Sequence, residues 1–264
     1  MSPMVDLLQS TQIIFMVEGG DDVAFLQGFF GAKGVPDQNI NVTSHYNSTA
    51  SHHNPSNVTL HPSGGITRLV TEFKNTIRAL KRKSRTDTLL TKAIVVLTDE
   101  SNAQDTQHIQ EIQTILRENA LPCPERNSLT NDPDSPIQFG LYVLSDLEGH
   151  YNDLESIALH TLKQHTESIT DFSAKVGVVR THFNETCEQQ GLDITRKRSK
   201  RELAVCLASF PNYEGNPRPV LRNHFETYFD INHKAFTPLN RLLDTLNKHY
   251  ALFPESEEGQ IPHV

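Results

Sequence analysis

Cysteine is scarce and scattered: the chain carries three, Cys123, Cys187 and Cys206. They leave an odd thiol and show no C-x-x-C spacing, so neither a disulfide framework nor a four-cysteine zinc site is indicated. Long apolar runs are missing as well. The apolar stretch nearest the start, Ile13 to Val17, falls far short of the roughly 20 residues that a membrane span needs. These absences lead to the expectation of a reducing, cytoplasmic compartment and no membrane partner. Positive charge is in deficit too, with 24 Lys and Arg against 32 Asp and Glu and a net charge of −8. Bulk charge would therefore repel a nucleic acid, and any grip on one has to be local. Two basic runs offer such a grip, Arg78, Lys81, Arg82, Lys83 and Arg85, and then Arg196, Lys197, Arg198, Lys200 and Arg201. A solvated helix end is the alternative reading of each. No Walker A sequence occurs.

What the chain does have is alternation. Thr11 to Val17 is a short buried run of the parallel-strand kind, followed by an acidic turn and a helix bearing Val23, Phe25, Leu26, Phe29 and Phe30. Ile40 to His45 and Val58 to His61 read as strands, joined by a polar stretch. His45, His52, His53 and His61 gather there, but their irregular spacing and the lack of a nearby cysteine favour a surface connection over a transition-metal site. After the Gly64-Gly65 turn, Ile66, Leu69, Val70, Phe73, Ile77 and Leu80 form the stripe of a helix packed on a sheet. Ala93 to Thr98 is another buried strand, and Ile109, Ile112, Ile115 and Leu116 mark the helix after it, stopped before Pro122. A loop runs from Pro122 to Pro136, Phe139 to Ser145 is the next strand, and Asp153 opens a helix with Leu154, Ile157, Ala158 and Leu162. From about Ser168 the patterns are helical only. The prediction is an α/β fold with a mainly parallel sheet flanked by helices and an all-helical C-terminal part.

The strands share an ending. Glu18 follows the first in Val17-Glu18-Gly19-Gly20-Asp21-Asp22, where the glycines are expected to let the chain turn tightly; Asp99 and Glu100 end the Val95 to Thr98 strand; Asp153 and Glu155 open the helix after the last. In an open α/β sheet, ligands gather outside the carboxyl ends of the strands. Carboxylates crowded at one rim repel unless a hard cation neutralises them, which points to Mg²⁺ or Mn²⁺ and to phosphodiester chemistry. Taken singly, Asp22 and Asp153 read equally well as helix caps.

The combination resembles the Toprim fold: a strand ending Val-Glu-Gly with Asp22 beyond it, a later strand ending Leu-Thr-Asp at Asp99, and alternating helices between. Within that fold the chain is similar to a bacterial Toprim-like family related to the nuclease domains of overcoming-lysogenization-defect proteins. The likeness includes Gly64-Gly65, Gly140, the segment from Gly149 to Glu155 and a helical end containing Lys200, Leu203 and Leu207. It implies a Toprim-like domain over residues 1–166, a helical extension over 167–253 packed on it, and an acidic tail over 254–264.

The resemblance also assigns roles. It makes Glu18 a metal ligand and a general base, Asp22 and Asp99 metal ligands, Asp153 and Glu155 ligands near a second ion, and Lys200 a contact to the transition-state phosphate. Lys197, Arg198, Lys200 and Arg201 would line the nucleic acid. Toprim proteins usually show Asp-x-Asp, whereas this chain reads Asp99-Glu100-Ser101, so Ser101 takes the second acidic position. A hydroxyl is a poorer Mg²⁺ ligand than a carboxylate, and metal affinity is expected to fall there. The implied activity is a Mg²⁺-dependent nuclease on DNA or RNA, the effector of a phage-defence or toxin system with a separate ATPase subunit. A catalytically weak binding or sensor subunit and an RNA-maturation nuclease stay open, as does self-association.

Overall fold

The computed structural model describes residues 3–43, 56–83, 89–99, 103–130, 132, 135–144, 153–162 and 216–252, with short stretches between 178 and 207. Helix α1 (Pro3–Ser10) leads into β1 (Thr11–Val17) and α2 (Gly20–Ala32). A 3-10 turn at Asp37–Asn39 precedes β2 (Ile40–Val42), and β3 (Ser56–Pro62) is followed by α3 (Ile66–Lys83), β4 (Ala93–Asp99) and α4 (Ala103–Glu118). Then come β5 (Ser128–Leu129), β6 (Gln138–Leu144) and α5 (Leu154–Thr161). The C-terminal part is helical: α6 (Pro217–Asn223), α7 (Phe225–Tyr228), a 3-10 turn at Lys234–Phe236 and α8 (Thr237–Tyr250).

The strands form one six-stranded sheet in the order β2-β3-β1-β4-β6-β5. All neighbours are parallel except β5, which runs antiparallel to β6 at the edge. From β1 the chain moves outward through α2 to β2 and β3, and α3 then carries it back across to β4 on the other side of β1. The order therefore reverses between β1 and β4, and a crevice opens at the carboxyl ends of these two strands.

Alternation along the strands divides the core into two layers. Ile14, Met16, Ile94, Val96, Phe139 and Leu141 face α1, α3 and α4, where Leu69, Phe73, Ile77, Ile112 and Leu116 complete the packing. Ile13, Phe15, Val17, Val95, Leu97 and Tyr142 face α2, α5 and the C-terminal helices. On that second face the rings of Phe25 and Phe225 meet edge-on at 5.0 Å, and those of Phe29 and Phe236 lie 5.2 Å apart. Leu203 and Leu207 join the same layer, so the C-terminal part shares its core with the sheet.

Three expectations are corrected. The polar start contains α1, whose Leu7 and Leu8 are buried against the sheet layer of α3. The loop from Pro122 to Pro136 contains β5, and its side chain explains Gly140: a Cβ there would come within 2.8 Å of Leu129 Cδ2. The strand from Ile40 is described as far as Val42, and His45, His52 and His53 lie outside the described residues. His61 is in β3, between the Thr43 hydroxyl at 2.6 Å and Glu72 Oε2 at 2.8 Å, which is a structural relay between β2, β3 and α3. Among the described residues no helix is long and apolar enough to cross a membrane.

Helix α2 packs on α6 through Gly28. A Cβ at this position would lie 2.0 Å from the Leu221 carbonyl oxygen and 2.8 Å from the Phe225 ring, so no larger residue fits without moving a backbone. Gly31, one turn on, faces open space. Gly28→Ala is expected to destabilise the fold by about 3 kcal/mol, at the upper end of overpacking costs. Gly31→Ala should instead stabilise it by about 0.5–1 kcal/mol through helix propensity. Urea midpoints of the two variants, which must move in opposite directions, check this.

Candidate functional site at the carboxyl rim

Glu18 is the first residue beyond β1 and Asp99 the last of β4, and the parallel pairing of those strands sets them side by side. The Thr98 hydroxyl donates to Glu18 Oε1 at 2.7 Å, and the Asp99 N–H donates to the same oxygen at 3.3 Å. The Glu18 backbone is fixed from the other flank. Its carbonyl accepts the N–H groups of Gly64 and Gly65 at 2.7 and 2.8 Å. Both glycines have positive φ, 79° and 116°, which is how two successive N–H groups turn onto one acceptor.

Asp22 stands in the first turn of α2, and its Oδ2 accepts the Gly19 N–H at 2.7 Å. Gly19 is in extended backbone at φ −149°, and Gly20 begins the helix, so the tight turn expected of this pair is not what they provide. Gly20 is needed for a close approach: a Cβ there would sit 2.8 Å from the guanidinium carbon of Arg218. Arg218 Nε in turn donates to Asp21 Oδ1 at 2.9 Å. Helix α5 brings the third acidic contribution. Asp153 caps it by accepting the Ser156 N–H at 2.7 Å, and the Leu154 N–H donates to Asp99 Oδ1 at 3.1 Å. The N-terminus of α5 thus points at the Asp99 carboxylate, and Glu155 follows in its first turn.

These groups sense one another. Burial is the largest force raising the Asp22 carboxyl, from 3.8 to about 7, and the charges of Glu18, Glu155 and Asp21 add to it against the Gly19 hydrogen bond. Asp99 is pushed well above the usual carboxylate range, again first by burial and then by Asp22, Glu18, Glu155 and Asp153. Glu18, Asp22, Asp99, Asp153 and Glu155, expected from sequence, are therefore neighbours at one rim. Among the described residues, no three His, Cys, Asp or Glu side chains form a ready-made metal cage. The donor set, all carboxylate oxygens with no neutralising cation among Asp22, Asp99 and Glu18, fits a hard dication by its chemistry.

Glu100, Ser101, His150 and the basic run of Lys197, Arg198, Lys200 and Arg201 lie outside the described residues. The other basic run ends α3, which returns from the carboxyl rim to the start of β4; Arg78, Lys81 and Arg82 are exposed at the opposite end of the sheet. Sequence reasoning missed Arg218. Asn216-Pro217 in front of it is a helix-start signal, and Asn216 does cap α6 by accepting the Arg218 N–H at 3.0 Å, but nothing local reports the pairing with Asp21.

A family model described as Protein of unknown function (DUF3226) matches residues 12–248. The chain belongs to that family. The matched span contains the whole carboxylate rim together with α6 and nearly all of α8. No curated protein and no solved structure matches the chain.

A carboxyl group raised in the folded state binds protons that the unfolded chain has already lost. The stability tied to Asp22 is thus full below about pH 4 and is lost as pH rises through about 7. Asp22→Asn, which keeps an acceptor for the Gly19 N–H, should raise the thermal midpoint by a few degrees at pH 8, corresponding to roughly 1–2 kcal/mol. The gain should shrink towards zero near pH 4. Melting curves of both proteins across that range, in chelator, check the sign.

Proposed function

We propose that the chain is a cytoplasmic, Toprim-like, Mg²⁺- or Mn²⁺-dependent nuclease that hydrolyses phosphodiester bonds of DNA or RNA. The observation that carries this reading is the convergence of Glu18, Asp22, Asp99 and Glu155 on the point where the strand order reverses, with Asp22 and Asp99 shifted towards their protonated forms. Such a rim disfavours folding at neutral pH unless positive charge is brought to it. Glu18, Asp22 and Asp99 are the residues that would hold a first dication, and Glu155, with Asp153, those that would hold a second. When bound, a hard dication supplies neutralisation of a phosphoryl oxygen and acidification of a water molecule.

The chain's own groups divide the remaining work. Glu18, oriented through one oxygen by Thr98 and the Asp99 N–H, takes a proton from the attacking water. Asp99 is oriented by the first N–H of α5. Lys200, by resemblance, meets the charge that grows on the phosphate, and Lys197, Arg198 and Arg201 hold the strand. A separate ATPase subunit, as in a phage-defence or toxin assembly, is the partner that the same resemblance suggests. Ser101 in place of an acidic residue supports a second reading, a weakly active or inactive binding subunit.

Purified protein incubated with plasmid, linear DNA and structured RNA in Mg²⁺ or Mn²⁺ is expected to cut at least one substrate, and chelator should stop it. Glu18→Gln and Asp99→Asn should each lower the rate on the order of 10²–10⁴-fold. Mg²⁺ at saturating concentration should raise the wild-type melting midpoint by a few degrees, and that of Asp99→Asn by less. Equal cutting by wild type and Glu18→Gln would identify a contaminant. No cutting of any substrate, with or without a partner ATPase, would replace the nuclease reading with the binding one.

A further inference from the structure

An acidic rim on a chain of net charge −8 repels a phosphate backbone, so a substrate strand has to be held by cations beside it. The described residues place one such cation against the rim. Arg218, on α6, is fixed at two points: its Nε donates to Asp21 Oδ1, and the face of its guanidinium lies against the backbone at Gly20. Even so the side chain is 55% exposed. A buried strut between two parts of a fold would commit both terminal nitrogens to a carboxylate in a bidentate pair. Here the bond to Asp21 uses Nε, and among the described residues the terminal N–H groups have no hydrogen-bond partner.

Space surrounds that guanidinium. A cleft of about 460 Å³ is bordered by Asp21, Glu155 and Arg218. A second, of about 410 Å³, is bordered by Gly20, Pro62, Arg218 and Arg222. The clefts share Asn216 and Arg218, and so form one trough that leads from the acidic rim past Arg218. Arg222 is four residues further along α6 on the same face, exposed, with its Nε on the Asn223 side chain. Two guanidinium groups one helical turn apart follow the carboxylates along the trough.

We propose that this trough carries the sugar-phosphate backbone of one strand, with Arg218 gripping the phosphate beside the carboxylate rim and Arg222 the next. Asp21 holds Arg218 in place in the free protein and yields it to the phosphate. The inference rests on the nucleic-acid reading above and names the residues that bind the substrate. It gives Asp21 and Arg218 opposite signs. Removing the carboxylate frees the guanidinium and lowers repulsion, whereas removing the guanidinium leaves Asp21 facing the strand.

The test is binding of a labelled single-stranded oligonucleotide to the full chain, by fluorescence anisotropy with Ca²⁺ in place of Mg²⁺, at several salt concentrations. Arg218→Gln is expected to weaken binding at least tenfold at low salt and to reduce the slope of log K against log salt by about 0.7, the share of one phosphate contact on a single strand. Arg222→Gln should act in the same direction and less. Arg218→Lys should recover part of the affinity, since it restores the charge without the planar fork. Asp21→Asn should tighten binding several-fold. If the pair is only a strut, Arg218→Gln and Asp21→Asn will lower the melting midpoint alike and move affinity in the same direction or not at all, which overturns the proposal. Wild-type binding that Arg218→Gln leaves unchanged overturns it too, while the nuclease reading stands. A wild type that neither binds nor cuts any nucleic acid removes both.

Discussion

Mutual repulsion among half-buried carboxylates is the constraint around which this structure is arranged. The reversal of strand order between β1 and β4 places Glu18 and Asp99 side by side, and α2 and α5 add Asp22 and Glu155 from the flanks. Nothing in the hydrophobic layers requires this. The chain holds the acids in position with hydrogen bonds that come from neutral donors: the Thr98 hydroxyl, the Asp99 N–H, the Gly19 N–H and the Leu154 N–H. Neutral donors orient a carboxylate without cancelling its charge, so the charge stays available to something that is not part of the chain. The Gly64-Gly65 turn serves the same end from behind, since it anchors the Glu18 main chain and leaves the side chain to face the crevice.

Most of the fold could be read from the sequence because it follows from burial with a period. β1, β4 and β6 are apolar runs buried on both faces, and α3 carries an uninterrupted stripe, so strands and helices announce themselves residue by residue. The acids at the strand ends were legible for the same reason, as each stands directly after such a run. What could not be read depends on partners far away in the chain. α1 offers a single adjacent pair of buried leucines, Leu7 and Leu8, which is too little to reveal a period. β5 has two residues and exists through its pairing with β6. The glycines after Glu18 looked like turn residues, whereas Gly20 is small because of Arg218, 198 positions later in the sequence. A glycine signals that something comes close, and the sequence alone does not say what.

One further consequence follows from how the C-terminal helices are tied down. α6 is pinned at the carboxyl rim through Arg218 and Asp21, and α8 reaches the amino ends of the strands, where the Tyr250 hydroxyl donates to the Lys92 carbonyl at 3.3 Å and bonds Gln138 Oε1 at 2.9 Å. The helical part is thus a strap fastened at both ends of the sheet, with the rings of Phe225 and Phe236 pressed on Phe25 and Phe29 along its length. A chain cut before the strap would leave those phenylalanines bare and would have every reason to clump. The sheet and the strap therefore melt together, and the trough between them keeps its shape for as long as the molecule stays folded.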